Sequence, residues 1–212
     1  IEDLSPLAPL HNPANLEAIK LCRALWPAVP QVAVFDTSFH LTNPTFATTY
    51  AVPEAWRRAG LRRYGFHGTS HAYVSRRLLE LLGRSAQGSR LVVCHLGAGC
   101  SATAVRDGQS VDTTMGLTPL EGLVMGTRSG DVGPDLVLHL VRREGMAVEA
   151  VEEMLVRRSG LLGLCGASEM RDVLARAEGG DAACRLALDL FAYRLRKTIG
   201  AYAAVLQGLD AI

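Results

Sequence analysis

The chain has 212 residues, of which 49% are hydrophobic, and its 22 basic and 21 acidic residues leave a formal net charge of +1. A balance this even predicts neither a face that binds nucleic acid nor an acidic disordered tail. No apolar run is long enough to span a bilayer, and the first residues lack the basic-then-apolar pattern of a signal peptide. The composition favours a globular protein without nucleic-acid or membrane partners.

Cysteine usage points to a reducing compartment. The cysteines are odd in number, form no CxxC pair and fall in several apolar runs; they are Cys22, Cys94, Cys100, Cys165 and Cys184. This pattern is typical of buried thiols and not of a disulfide framework. We therefore expect a cytoplasmic protein.

Both ends of the sequence resemble cut points. Ile1 is not methionine, and residues 205–212 form an apolar-leaning run that could begin a strand and is followed by no polar tail. We expect the sequence to be a fragment of a longer protein.

The first part of the chain predicts three helices and one strand. Periodicity and breaker residues place helices at 14–26, 53–60 and 69–82, the last capped by Thr69 or Ser70 and stopped by Gly83. The apolar run 31–35 reads as a short buried strand that Asp36 ends.

The second part begins with strands and continues with helices. We expect strands at 90–96, 101–106 and 110–114, with a glycine turn after the first and a tight Asp107-Gly108 turn after the second. Helices follow at 134–143, 148–158, 168–177 and 181–206. By analogy, phosphate-binding domains of the actin and sugar-kinase group are built around such a glycine turn.

The last helix is apolar over much of its circumference, so it is either buried or paired with a partner. The candidate dimer surface consists of Phe191, Tyr193, Ile199 and Tyr202, and ordinary core packing of these residues is the alternative.

Two groups of polar residues carry candidate chemistry. Asp36 follows the predicted strand and is followed by hydroxyl residues, where it could hold a metal or orient a nucleophile; a turn-capping aspartate is the alternative. His67 and His71 are four residues apart, but Gly68 and the predicted cap place His67 before the helix. That position favours hydrogen bonding to a charged oxygen over a shared zinc ion, with a structural His67 as the alternative.

Two glycine-containing segments could contact phosphate. The turn at Gly97-Ala98-Gly99 allows backbone N–H groups to approach phosphate oxygens, although such turns also occur in ordinary hairpins. Arg128 lies among glycines and hydroxyl residues, where its guanidinium suits a carboxylate or a transferring phosphoryl group. A surface ion pair between Arg128 and Asp131 is the alternative.

Together these stretches resemble the acetate kinase family. The matching segments occur in order over nearly the whole chain, at 8–13, 35–37, 64–71, 95–101, 118–131, 159–163 and 189–206. The resemblance implies an α/β, actin-like ATPase (ribonuclease H-like) fold of the acetate and sugar kinase superfamily, here incomplete. It also implies reversible phosphoryl transfer from ATP to acetate with Mg²⁺, giving acetyl phosphate and ADP, in a homodimer.

The resemblance assigns roles by motif position. Asp36, His67 and Arg128 are the implied catalytic residues, with Asp36 also a possible metal ligand. The implied nucleotide contacts are His95, Leu96, Gly97, Ala98, Gly99, Glu169, Met170 and Arg171. The implied walls of the acetate pocket are Leu10, Phe66 and Pro119.

The chain departs from the family pattern at three positions. Ala98 stands where asparagine is usual, Gly133 where a second acid is usual, and Glu169 where aspartate is usual. The resemblance places residues 1–38 in the C-terminal part of a first lobe and 39–212 in a second lobe for nucleotide binding and dimerisation. Segments carrying other ligands are missing, so we expect no turnover by this chain alone.

Two alternatives stay open. The protein could be a related kinase for propionate or butyrate, since a small apolar pocket discriminates by only roughly 1–3 kcal/mol per methylene. The chain could also be a non-catalytic piece that only folds and dimerises.

Overall fold

A computed structural model describes residues 2–7 and 12–212 of the chain. Its helices are α1 (Asn12–Leu25), α2 (Thr45–Thr48), α3 (Glu54–Arg58), α4 (Gly68–Leu82), α5 (Pro134–Arg142), α6 (Val148–Arg157), α7 (Gly160–Cys165), α8 (Met170–Glu178) and α9 (Ala182–Leu206). Its strands are β1 (Arg90–Leu96), β2 (Cys100–Arg106) and β3 (Gln109–Thr113), and short 3-10 helices cover Glu2–Leu7 and Ser38–Thr42.

The three strands form one antiparallel sheet in the order β1-β2-β3. Leu96 pairs with Cys100 across the glycine turn, and the β2–β3 register shifts at a bulge between Ala104 and Val105. Asp107 and Gly108 have φ values of +55° and +75°, the backbone that a two-residue turn of this hairpin type requires. The predicted strands and turns of this region are confirmed.

Helices cover both faces of the sheet. On one face Val92 and Ala102 pack with Tyr202 and Leu206 of α9. On the other face Leu91 and Val93 pack with Leu79 of α4. Because both faces are covered, β1 is an almost continuous apolar run instead of an alternating one.

The apolar circumference of α9 has a local explanation. Near its start, Cys184 and Ala187 pack against α7 and α8 in a second core, and its last turns pack on the sheet. Tyr202 is buried, and Phe191 and Ile199 pack against the cores, so these three candidate dimer residues are core residues and only Tyr193 is largely exposed.

Two expectations are wrong. Residues 31–35 form no strand, and Val32 and Val34 are 85% and 75% exposed. Within the described ranges no strand lies beside them, so their backbone has no ladder partner. Helix α4 begins at Gly68 with His67 as its N-cap residue, and the His67 side chain makes no capping bond. Thr69 and Ser70 lie inside the helix.

Neither disulfide bonds nor membrane-spanning helices occur in the part of the chain that the structure describes. All five cysteines are free, and Cys100, Cys165 and Cys184 are buried. Among the described residues, no helix combines the length and apolar character needed to cross a membrane.

Candidate functional site

Asp36 and His67 are held together at the start of α4. The backbone N–H of His67 donates to Asp36 Oδ2 at 2.5 Å, and the N–H of Gly68 donates to the Asp36 carbonyl oxygen at 2.7 Å. His67 adopts a left-handed backbone with φ of +58°, which is unusual for a residue with a side chain. Strain of this kind is typically maintained by surrounding contacts at functional sites, and the two bonds to Asp36 are such contacts.

A substitution at Gly68 tests the close contact between the backbones of residues 36 and 68. A Cβ at position 68 would lie 2.3 Å from the Asp36 carbonyl oxygen, so Gly68→Ala must push residues 36 and 68 apart. We expect a loss of about 2 kcal/mol or more in unfolding free energy, measured by urea denaturation. Gly133→Ala is the matched control, because a Cβ there meets nothing within 4 Å. An equal loss in both variants would contradict the prediction.

The glycine turn brings Arg128 to the same place. The Gly97 N–H donates to the Gly99 carbonyl at 3.0 Å, which closes the turn. A Cβ at Gly99 would lie 3.2 Å from Arg128 Nη2 and 3.4 Å from His67 Nε2. The guanidinium and the imidazole therefore flank one point, beside the junction with Asp36. The three residues predicted to be catalytic converge.

Arg128 is oriented by the loop that precedes it. Its Nη1 donates to the Pro119 carbonyl at 2.6 Å. Burial lowers the pKa of Arg128, but an arginine stays charged in proteins. The alternative pairing with Asp131 does not occur in the structure, where Asp131 Oδ1 instead accepts the Gly122 N–H at 2.7 Å.

A brace that the sequence did not predict holds this loop. Tyr50 donates its hydroxyl to Glu121 Oε2 at 2.5 Å and accepts the Leu117 N–H at 2.8 Å. Arg63 Nη2 pairs with Glu121 Oε1 at 2.5 Å. Burial, together with the bond to Glu121, raises the pKa of Tyr50 to about 12. Glu121 lies within the segment 118–131 that resembles the family, but nothing in the sequence pairs it with Tyr50 or Arg63, which are 71 and 58 residues away.

Four histidine rings lie close together at this site. The rings of His67 and His95 stack with centroids 4.0 Å apart, and His71 lies 6.4 Å from each of them. His40 is 5.9 Å from His71 and bonds Ser110 Oγ and the Phe66 carbonyl. Sequence analysis gave His40 no role. In the described part of the chain, no three His, Cys, Asp or Glu residues have the geometry of a metal site.

His71 makes stability depend on pH. Burial, with the neighbouring histidines, lowers its pKa from 6.5 to about 3. Below pH 6.5, His71 binds a proton in the unfolded chain but stays neutral in the folded chain. This contribution is therefore complete above pH 6.5 and declines, by up to about 1.4 kcal/mol per pH unit, as the pH falls toward 3.

The expected measurement is a shallower pH dependence of unfolding free energy in His71→Asn between pH 6.5 and 4. A residual slope remains, because burial also lowers the pKa of His40. His139→Asn on α5 is the control, because it makes the same substitution at a side chain that is 58% exposed, and the loss of slope in His71→Asn should exceed any change in this control. Equal slopes in all three proteins would count against the assignment.

The predicted nucleotide segment lies near the glycine turn. Glu169 precedes α8, which Met170 and Arg171 begin. Gly126 connects the two regions: its N–H donates to the Ala98 carbonyl at 3.0 Å, and a Cβ there would lie 3.2 Å from the Ser168 carbonyl. An open depression of about 530 Å³ lies beside this segment and is lined by Leu162, Gly166, Ala167, Ser168, Glu169, Asp172, Ala175 and Arg176.

The predicted acetate pocket is only partly visible. Phe66 is half-buried and packs against the core beneath the sheet. Pro119 is half-buried, and its carbonyl holds Arg128. Leu10 lies outside the described residues. Of the two predicted pocket residues that the structure describes, Pro119 contacts Arg128 at the site and Phe66 packs into the core.

The fold and the site together define an α/β protein in which Arg128 and His67 lie beside a glycine turn. This arrangement is suited to binding an oxyanion. The chain belongs to the Acetokinase family, whose sequence model matches residues 1–212.

Relatives and solved structures agree. The chain is 58% identical to an acetate kinase of Leifsonia xyli and 55% identical to one of Streptomyces coelicolor, covering 100% of this chain and 54% and 52% of theirs. It superimposes on a Porphyromonas gingivalis acetate kinase (TM-score 0.93, 43% identity, 99% of this chain, 53% of that one). It also superimposes on a Francisella tularensis propionate kinase (TM-score 0.93, 46% identity, 99% and 54%). The predicted family and fold class are confirmed, and the chain spans about half the length of the curated relatives it matches.

Proposed function

We propose that the whole protein is an acetate kinase, which transfers a phosphoryl group reversibly between ATP and acetate to give acetyl phosphate and ADP. The observation that carries this proposal is the convergence of Asp36, His67 and Arg128 beside the glycine turn. Membership of the Acetokinase family supports it.

The chemistry needs little beyond positioning and charge. A transferring phosphoryl group spreads negative charge over its equatorial oxygens, so donors fixed around it lower the barrier. Arg128 presents a guanidinium held by the Pro119 carbonyl, and His67 presents Nε2 close to the same point beside Gly99. Asp36 fixes the backbone of His67 and can orient the acetate side of the reaction.

We place the nucleotide on the glycine turn and the segment before α8. The turn comprises His95, Leu96, Gly97, Ala98 and Gly99, and Leu96, Gly97 and Ala98 are exposed. The Gly97 N–H already donates to the Gly99 carbonyl, so we propose the Ala98 N–H as a donor to phosphate oxygens. Ala98 leaves the backbone as the donor at that position. The depression beside Glu169, Met170 and Arg171 is suited to the nucleoside, since Gly126 joins it to the turn.

Asp36 is compatible with a Mg²⁺ ion. One carboxylate oxygen bonds His67, which leaves the other for a metal, and the residue is exposed. Mg²⁺ in kinases typically takes one or two carboxylates together with substrate phosphates and water, so a single aspartate is a sufficient contribution from these residues. When bound, Mg²⁺ would neutralise charge on the phosphates.

The choice of carboxylic acid remains a separate proposal. Leu10, Phe66 and Pro119 are our proposed pocket walls, and acetate is our proposed substrate. The Francisella tularensis propionate kinase is as similar in fold as the acetate kinases, so propionate and butyrate are the alternatives. A kcat/KM more than about tenfold higher for a longer acid, or 1.4 kcal/mol, would replace acetate.

The test compares the full-length protein with this chain in a hydroxamate assay for acetyl phosphate, with ATP, Mg²⁺ and acetate. We expect turnover by the full-length protein and none by the 212-residue chain, which spans about half of its relatives. A folded full-length protein without activity would overturn the proposal. Activity of the 212-residue chain alone would contradict the expectation that it lacks segments needed for turnover.

Assembly and location complete the proposal. We assign residues 1–38 to a first lobe and 39–212 to a second lobe of a cytoplasmic homodimer. The exposed apolar segment 31–35 supports the first-lobe assignment, because Val32 and Val34 have no sheet partner among the described residues. The five free cysteines are consistent with a reducing compartment. Tyr193 is the remaining candidate contact on α9, and sedimentation of the full-length protein as a monomer would remove the dimer.

A further inference from the structure

Ser101 connects two histidines through one hydroxyl group. It lies on β2 with no solvent exposure, and its Oγ is 2.9 Å from His67 Nδ1 and 2.7 Å from His71 Nε2. A hydroxyl carries a single hydrogen, so it can donate to only one of the two rings. The oxygen could accept from both rings, but Ser101 is buried and its Oγ has no third hydrogen-bond partner among the described residues, so its hydrogen goes to one of the two rings. The ring that receives it decides where His67 carries its own proton.

The surroundings of His71 decide the direction. The ring has no solvent exposure, and no described residue forms a hydrogen bond with its Nδ1. Burial lowers the pKa of His71 to about 3, so the ring is neutral and has one N–H. If that N–H were at Nδ1, a buried donor would be left unpaired, which is rarer and costlier than an unpaired acceptor. The proton of His71 therefore belongs on Nε2, where it donates to Ser101.

We infer that Ser101 is a positioning residue that accepts a hydrogen bond from His71 Nε2 and donates its hydroxyl hydrogen to His67 Nδ1, so that neutral His67 keeps its proton on Nε2. This inference rests on the proposed function for its catalytic meaning. His67 Nε2 is the ring nitrogen near Gly99, on the side of Arg128. The relay thereby makes that nitrogen a hydrogen-bond donor toward a transferring phosphoryl group.

The opposite direction would oppose catalysis. If Ser101 donated to His71, His67 would hold its proton on Nδ1 and present a lone pair beside Arg128. A lone pair repels a phosphoryl oxygen where a donor would stabilise it. A flip of the His67 ring would exchange the positions of Nδ1 and Nε2. The stacked His95 ring, which is bonded through Nδ1 to Ser70 Oγ at 2.9 Å, restricts that rotation.

A spectrum tests the proton positions directly. Long-range ¹H–¹⁵N correlation spectra of the histidine-labelled full-length protein at pH 8 distinguish protonated from bare ring nitrogens, with assignments from His67→Asn and His71→Asn. We expect Nε2–H with bare Nδ1 for both His67 and His71. A proton on Nδ1 of either ring would overturn the inference. This result does not depend on whether the protein is a kinase.

Kinetics of the full-length protein test the consequence. Ser101→Ala removes the relay, and we expect kcat for acetyl phosphate formation to fall about tenfold, the effect of one lost hydrogen bond, with KM values unchanged within about twofold. The control is Thr103→Val, which removes a buried hydroxyl two residues along β2 that bonds Thr113. An equal loss in both variants, or an unchanged kcat in Ser101→Ala, would overturn the positioning role. No activity in the unsubstituted protein would refute the proposed function, while the spectrum still decides the proton positions.

Discussion

Replacing Arg128 with alanine should lower kcat of the full-length protein for acetyl phosphate formation by roughly 10³-fold or more. Arginines that neutralise a transferring phosphoryl group contribute rate factors of about 10³–10⁵. Arg128 is half-buried, stays charged, and lies next to the point that His67 also flanks. In the alanine variant, water would fill the space of the guanidinium, and water carries no fixed positive charge. The measurement is the initial rate in the hydroxamate assay at saturating ATP and acetate.

The shape of the guanidinium matters as well as its charge. Arg128 binds the Pro119 carbonyl with Nη1 while Nη2 lies beside Gly99, so one fork fixes the loop and serves the site. Lysine cannot make both contacts, and Arg128→Lys should recover only a small part of the loss.

The matched control for both substitutions is Arg142→Ala, which removes an exposed arginine at the end of α5 and should leave kcat unchanged. A rate for Arg128→Ala within tenfold of the unsubstituted protein would remove Arg128 from the reaction.

The candidate site was predictable in part from local sequence. The hydroxyl residues after Asp36, and the glycines and hydroxyl residues around His67 and Arg128, marked these positions, while their catalytic roles came from the resemblance to the acetate kinase family. The structure brings the three residues together. The supporting residues were not predictable. Glu121 becomes a brace only because Tyr50 and Arg63 reach it across the fold, and pairings over such distances leave no local pattern.

The limits of the fold prediction have the same origin. The strands of the sheet were found within one residue, because their apolar runs, glycine turn and Asp107-Gly108 turn are local signals. Residues 31–35 carry an equally apolar run but lack a neighbour among the described residues, so the same propensity gives no strand. Helix α4 starts at Gly68 and not at a hydroxyl cap, because the Asp36 backbone and carboxylate accept the N–H groups at its start.

The largest effect on stability is expected from Gly160→Ala at the start of α7. Gly160 has φ of +61°, and a Cβ there would lie 2.2 Å from the Met125 carbonyl oxygen and 2.7 Å from that of Arg128. Neither oxygen can retreat easily, because Met125 is buried and its carbonyl accepts the Leu161 N–H at 2.9 Å. Left-handed strain and a backbone collision together should cost at least about 3 kcal/mol in unfolding free energy.

Gly145→Ala separates the two terms of that cost. Gly145 has a similar φ of +66°, but a Cβ there meets nothing within 4 Å, so its substitution should cost only the left-handed strain of about 1–2 kcal/mol. Urea denaturation of both variants measures the difference, which is the free energy of the collision against Met125 and Arg128. Equal losses would mean that the segment carrying Arg128 yields without cost. A larger loss for Gly160→Ala would show that the start of α7 packs closely against the backbone of the segment that carries Arg128.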